Sequence, residues 1–181
     1  LLGIVVAVIN KAGGSKAYGD WASAKLSTKR SAGLATSALG VIIFIDDYFN
    51  CLTVGTVMRP VTDKLKMSRE KLAYIIDATA APVCIIAPIS SWAAAVISYF
   101  PASSGNGMTA FLESIPFNFY AMLTIFMVFY MSIKKNADYG PMALAEKRCV
   151  EEGFFNTANE GRAEEEFEKI SGKKGRVIDL A

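Results

Sequence analysis

Residues 31–58 read SAGLATSALGVIIFIDDYFNCLTVGTVM, and this stretch decides the fold expected for the chain. It contains no Lys or Arg, and Asp46 and Asp47 are its only charged side chains. A charge at the centre of a bilayer costs about 2.5–3.5 kcal/mol on insertion scales. Two adjacent carboxylates in an apolar run are therefore expected either to pair with other groups or to have a function. The stretch therefore predicts a buried functional site.

Basic clusters flank this stretch on both sides. The preceding cluster consists of Lys25, Lys29 and Arg30, and the following one of Arg59, Lys64, Lys66, Arg69 and Lys71. Cytoplasmic loops of membrane proteins are enriched in Lys and Arg, so both flanks are expected on the same side. We therefore predict a re-entrant hairpin over 31–58 that turns near the two aspartates. A single tilted helix over the same residues stays open as an alternative.

Two further apolar runs follow the hairpin. The run 72–100 begins after Ser68, a residue type that favours the N-cap position. As one helix it would be about 43 Å long, whereas the apolar core of a bilayer is roughly 30 Å thick. Pro82 and Pro88 interrupt helical hydrogen bonding within it, which predicts a broken span. The run 114–133 (SIPFNFYAMLTIFMVFYMSI) is long enough to cross once.

The remaining segments complete the predicted organisation. Residues 1–9 resemble the truncated end of a membrane helix, and 17–26 predict a short interfacial helix. Residues 134–181 hold nine basic and ten acidic side chains, which predicts a polar cytoplasmic loop or tail with short helices. The predicted fold class is an all-α membrane protein, with a transmembrane segment over 1–133. We expect a fragment of a multi-pass protein of the cytoplasmic (inner) membrane.

The residues around the aspartates have the chemistry of a cation site. Helical steps place Asn50 between Asp46 and Asp47, with Thr53 on nearly the same face. Carboxylate, amide and hydroxyl oxygens suit a hard ion such as sodium. Two adjacent carboxylates resist being charged together, so a proton and a cation are expected to compete for them. The alternative is a polar helix end whose aspartates cap neighbouring backbone.

A second set of polar residues lies in the broken span. Asp77 and Thr79 precede Pro82, and interrupted helices offer free carbonyl groups to cations. Ser90 and Ser91 follow Pro88, although serines in apolar helices also serve to pack helices together. The predicted ion-binding and proton-coupling residues are Asp46, Asp47, Asn50, Thr53, Asp77, Thr79, Ser90 and Ser91, with Asp46, Asp47 and Asp77 as the sodium ligands.

Composition excludes several other functions. The chain has no histidine, and its three cysteines (Cys51, Cys84 and Cys149) are widely spaced. These features exclude the usual zinc spacings and a catalytic triad that needs histidine. The formal net charge of +2 gives no reason to expect nucleic acid as a partner. We expect no enzyme and no bound cofactor, only transported sodium ions and protons.

Two long segments carry a family resemblance. IFIDDYFNCLTVGTVMRPVTDK (43–64) and SREKLAYIIDATAAPVCIIAPISSWAAAV (68–96) resemble the NhaC-type sodium/proton antiporters of the ion transporter superfamily. GGSKAYGDWASAKL before them, and SIPFNFYAML and YGPMALAEKR after them, fit the same family. The resemblance implies one half of an inverted-repeat secondary transporter, with the ligand positions at Asp46, Asp47, Asn50, Asp77, Thr79, Ser90 and Ser91.

Three functions follow from this reading. Sodium/proton antiport is the main prediction. Sodium-coupled or proton-coupled exchange of a small organic acid or amino acid is the first alternative, because relatives in this group differ in substrate. A non-transporting membrane scaffold is the second. The partners we expect are membrane lipid and the missing second half of the protein, and a homodimer is left open.

Overall fold

The structure, a computed structural model, describes residues 21–22, 25–100, 106–134, 138–151 and 153. These residues are helical throughout, apart from turns and connections. The α-helices with defined bounds are α1 (Lys29–Ile42), α2 (Asp47–Lys64), α3 (Arg69–Ile86), α4 (Ser91–Ser98), α5 (Gly107–Ser114), α6 (Phe119–Ile133) and α7 (Pro141–Glu151), with a 3-10 turn at Ile115–Phe117. For the described residues, the all-α part of the predicted fold class is confirmed. The predicted helix over 1–9, most of that over 17–26 and the tail after residue 153 lie outside the described residues.

Local capping explains where the main helices begin. Thr28 caps α1: its hydroxyl accepts a hydrogen bond from the Ser31 amide, while the Ser31 hydroxyl accepts one from the Thr28 amide. The Ser68 side chain caps α3 by accepting a hydrogen bond from Lys71 N, as the sequence predicts. Such caps satisfy backbone donors that a helix start leaves unpaired.

The helix break expected in the run 72–100 is present. Helix α3 ends at Ile86, and α4 starts at Ser91 after a bend of 45°. Ala87 is extended (φ −75°, ψ 126°) because the ring of Pro88 disfavours helical geometry in the residue before it. Pro82, in contrast, lies within the continuous helix α3.

Helix α3 forms the centre of the packing. It contacts α1, α2, α4, α6 and α7, and its buried Ile75 belongs to the main apolar core. Met58 and Val61 of α2, Ala32 of α1 and Val128 of α6 complete the middle of that core. The breaks between α1 and α2 and between α3 and α4 therefore belong to helices that pack on one another.

The predicted transmembrane fold and the multi-pass membrane location are wrong as stated. Across the described residues, no helix taken singly has both the length and the apolar character needed to cross a membrane. Two bent pairs, α3 with α4 and the α5 region with α6, reach that length and composition only when each pair is taken together. The apolar runs 72–100 and 114–133 each extend across a bend between two helices. Helix α6 alone is only about 22 Å long.

Helix α7 lies inside the segment that the sequence predicts to be a polar loop or tail with short helices. Its Glu146 is buried and accepts hydrogen bonds from Ser68 N (2.6 Å) and Lys29 Nζ (2.7 Å). Burial by itself would raise the pKa of Glu146, but these hydrogen bonds and the charge of Lys29 outweigh it and hold the pKa below its ordinary value. Glu146 thus joins α7 to the starts of α1 and α3.

Candidate functional site: the crossing of two helix breaks

The breaks at residues 43–46 and 87–90 meet through two hydrogen bonds. Ser91 N, at the start of α4, donates to Ile45 O at 2.8 Å. Cys84 Sγ, in the last turn of α3, donates to Phe44 O at 3.0 Å. We call residues 43–47 and 87–91, with the side chains that contact them, the helix-break crossing. It brings two helix C-termini and two helix N-termini into one region, where partial charges of both signs are available.

Asn50 fixes one side of this crossing. Its side chain is fully buried, and Nδ2 donates to Gly40 O at 2.6 Å and to Ile43 O at 2.7 Å. These carbonyls lie at the C-terminal end of α1, where helix carbonyls lack intrahelical partners. The side-chain amide of Asn50 on α2 therefore holds the C-terminal end of α1 in place.

Two buried side-chain oxygen atoms of α2 have no hydrogen-bond partner among the described residues. They are Asn50 Oδ1 and Thr53 Oγ1, on side chains that are 0% and 7% exposed. Residues three apart on a helix lie on the same face, so these oxygens share one side of α2. An unpaired buried polar group costs about 1–3 kcal/mol, and a bound ion or water removes that cost. The pair is the strongest indication of a ligand at the crossing.

Asp46 and Asp47 lie at the start of α2 and are half-buried. Asp46 is the N-cap, and its Oδ1 accepts a hydrogen bond from Phe49 N at 2.9 Å. This is the capping arrangement that the sequence left open as an alternative. Asp47 lies in the first turn, where the helix dipole favours a negative charge.

The negative charge of this region contributes to raised pKa values of two thiols, one buried and one partly buried. Burial raises the pKa of Cys84 to about 11, and the charges of Asp47 and Asp46 add to the effect. Burial also raises the pKa of Cys51, with further contributions from Asp77 and Asp47. The three predicted sodium ligands therefore border the same neighbourhood, with the side chain of Asp77 exposed on α3. Among the described residues, however, no three Asp, Glu or Cys side chains form a group that could hold a metal ion.

The other predicted site hydroxyls make structural contacts. Thr79 is buried and donates to Ile75 O and Ile76 O of its own helix. Ser90 is the N-cap of α4: its hydroxyl accepts from Ala93 N and donates to Cys84 O at 2.6 Å. Ser91 contributes its backbone amide to the crossing, while its side chain is exposed. These contacts explain why polar residues occur at both breaks.

The sequence reading missed Gly40, whose backbone is close to α3. A Cβ atom placed on Gly40 would lie 2.8 Å from Thr79 Cβ and nearer still to Thr79 Oγ1. A glycine within an apolar helical run is the signal that indicates such a close approach. The contact brings the last turns of α1 against α3 and so helps to position the crossing.

Comparisons with known proteins give a relative without a named function. The chain is 37% identical over 187 aligned residues to an uncharacterized protein of Haemophilus influenzae (strain ATCC 51907 / DSM 11121 / KW20 / Rd). The match covers 99% of this chain and 34% of that protein, so the chain spans about a third of the length of its relative. No family model matches the chain, and no solved structure matches it. The resemblance to NhaC-type antiporters therefore stays a prediction.

Proposed function

We propose that the helix-break crossing binds a small monovalent cation in competition with a proton, as the ion-exchange site of a secondary sodium/proton transporter. The observation that carries the proposal is the two unpaired, buried oxygens on Asn50 and Thr53, about one and two helical turns along α2 from the carboxylates at its start. The activity proposed is that of a longer protein, of which this chain would provide one part.

The chemistry of the oxygens favours a hard cation. Amide, hydroxyl and carboxylate oxygens are the ligands that sodium and similar ions prefer, and soft metals prefer sulfur. Asn50 Nδ2 already donates to two carbonyls, which turns the other end of the amide into an acceptor held in place. In this proposal Asn50 Oδ1 and Thr53 Oγ1 are fixed neutral ligands, and Asp47 supplies the negative charge.

Proton competition follows from the same residues. The chain contains no histidine, so carboxylates are the candidate proton acceptors at this site. Asp46 accepts a hydrogen bond from Phe49 N as the cap of α2, which leaves Asp47 as the carboxylate available to the cation. A proton on Asp47 removes the charge that attracts the cation, so each species displaces the other.

Sodium binding to the 181-residue chain tests the proposal. Isothermal titration with sodium chloride, against choline chloride at matched ionic strength, is expected to show saturable binding that weakens as the pH is lowered. Asp47→Asn should weaken binding about 10–100-fold, because a charged interaction is lost. Glu113→Gln is the matched control, because it removes a carboxylate from an exposed position on α5 and should leave binding unchanged.

The outcomes separate this proposal from its alternatives. The proposal would be contradicted if titration with sodium chloride gave the same heat as titration with choline chloride. It would also be contradicted if Asp47→Asn and Glu113→Gln weakened sodium binding equally. In a longer protein that contains this chain, Asp47→Asn should also reduce sodium-driven proton exchange measured in vesicles. Unchanged exchange there would exclude Asp47 as the coupling residue.

A further inference from the structure

A cleft of about 420 Å³ lies on another part of the molecule, between the starts of α1 and α3, the end of α6, and α7. Its cationic lining consists of Lys29, Arg30, Lys71, Lys134 and Lys147, and its anionic lining of Asp138, Glu146 and Glu151. The sequence places these cations in separate clusters that flank different helices, and folding brings them to one cavity. We call it the basic cleft.

Two of the three carboxylates are already paired at the wall of the basic cleft. Glu146 binds Lys29 at 2.7 Å, and Asp138 binds Lys71 at 2.7 Å. The side chains of Lys71 and Glu146 are only 12% and 11% exposed, so these pairs are held firmly and orient the lysines. The carboxylates thus serve to position charge around the cavity.

The remaining cations leave an excess of positive charge. Within the described residues, neither Arg30 nor Lys134 has a carboxylate within ion-pair distance, and Lys134 Nζ instead donates to Tyr130 OH at 2.6 Å. Lys147 contacts Glu151 only at 3.9 Å, with both side chains exposed. The starts of α1 and α3 lie at the same cleft, and helix N-termini add further positive potential.

From this arrangement we propose that the basic cleft binds the phosphate group of a small anionic ligand, with Arg30 and Lys134 as its principal contacts. Arg and Lys are the residues that bind phosphate oxygens in proteins, and Arg does so with paired donors. The volume lies within the ~300–1,000 Å³ typical of small-molecule sites. Met67, Met131 and Val150 add an apolar wall, which suits the body of an organic phosphate.

Pyrophosphate and anionic vesicles are the probes that test this proposal. Isothermal titration of the 181-residue chain with sodium pyrophosphate, in buffer whose excess sodium chloride keeps the sodium concentration constant, is expected to show one pyrophosphate site per chain. Arg30→Gln and Lys134→Gln should each weaken binding about tenfold. Lys64→Gln is the matched control, because Lys64 is exposed on α2 and does not line the cleft. Circular dichroism should show the same fold for all three variants.

A second arm identifies the source of the phosphate. Co-sedimentation with phosphatidylcholine vesicles, with and without phosphatidic acid, measures binding to a lipid headgroup. Pyrophosphate binding that the cleft variants weaken supports the proposal with a free phosphate ligand, and vesicle binding with the same variant dependence supports it with a lipid headgroup. Absence of both, or equal effects of the cleft variants and Lys64→Gln, would overturn it.

Discussion

The substitution Gly40→Ala probes how closely α1 approaches α3. The new Cβ would lie 2.8 Å from Thr79 Cβ and even nearer to Thr79 Oγ1. Thr79 cannot turn away freely, because it is β-branched, buried and hydrogen-bonded to two carbonyls of its own helix. The helices must therefore move apart to accept one methyl group.

The expected change in stability follows from two opposing effects. Overpacking a filled core costs about 1–3 kcal/mol. Replacing a helical glycine with alanine contributes roughly 0.5–1 kcal/mol in the other direction. Since the contact is too close for a small adjustment, the overpacking cost should lie in the upper part of this range, at about 2–3 kcal/mol, which leaves a net loss of about 1–2.5 kcal/mol.

Gly55→Ala is the matched control for this substitution. Its Cβ would meet only Ile76 Cδ1, at an ordinary distance of 3.7 Å, so the helix should gain about 0.5–1 kcal/mol. Urea unfolding followed by far-ultraviolet circular dichroism compares the two variants. A second substitution, Thr79→Ala, removes the nearest atom and should recover part of the loss caused by Gly40→Ala. A Gly40→Ala protein as stable as Gly55→Ala would refute the close approach.

Three more predictions concern single side chains. Glu146→Gln should destabilise the chain by roughly 1–3 kcal/mol at pH 7. Because folding lowers the pKa of Glu146, the stability that its carboxylate contributes is present above its ordinary pKa and is lost as the pH falls through the folded-state pKa. The melting curves of the variant and the wild type should therefore converge in acid. Thr53→Val should preserve or increase stability in sodium-free buffer, by up to ~1 kcal/mol in thermal unfolding, and a large loss would mean that its hydroxyl has a protein partner. Cys84, with its pKa raised to about 11, should carry roughly a hundredfold less thiolate at pH 8 than an ordinary thiol and so react more slowly with a disulfide reagent, and Asp47→Asn should speed the reaction.

Local signals in the sequence predicted much of the helical framework. Ser68 caps α3, and the break before α4 follows from Pro88, because capping and proline geometry depend on neighbouring residues. Asp46 and Asp47 lie at the start of α2, where the sequence placed a turn. The placement of Asn50 and Thr53 on one face of α2 was likewise predictable, because it follows from local spacing.

Long-range pairing was not predictable in the same way. Glu146 pairs with Lys29 and with Ser68, which lie 117 and 78 residues away along the chain. The sequence therefore indicated short helices with solvated glutamates in a polar loop or tail, and it did not indicate that one of these helices packs on α3. The membrane prediction was wrong because no described helix taken singly has both the length and the apolar character to cross a membrane, and the run 72–100 reaches them only across a 45° bend.

Proton release on sodium binding is the most direct measurement of the central claim. Titrating sodium into the 181-residue chain at pH ~4, where an ordinary aspartic acid is partly protonated, in two buffers with different heats of protonation gives the number of protons released. We expect a net release from the wild-type chain that is lost in Asp47→Asn and retained in Glu113→Gln. Sodium binding without proton release, or no sodium binding at all, would contradict cation–proton exchange at the helix-break crossing.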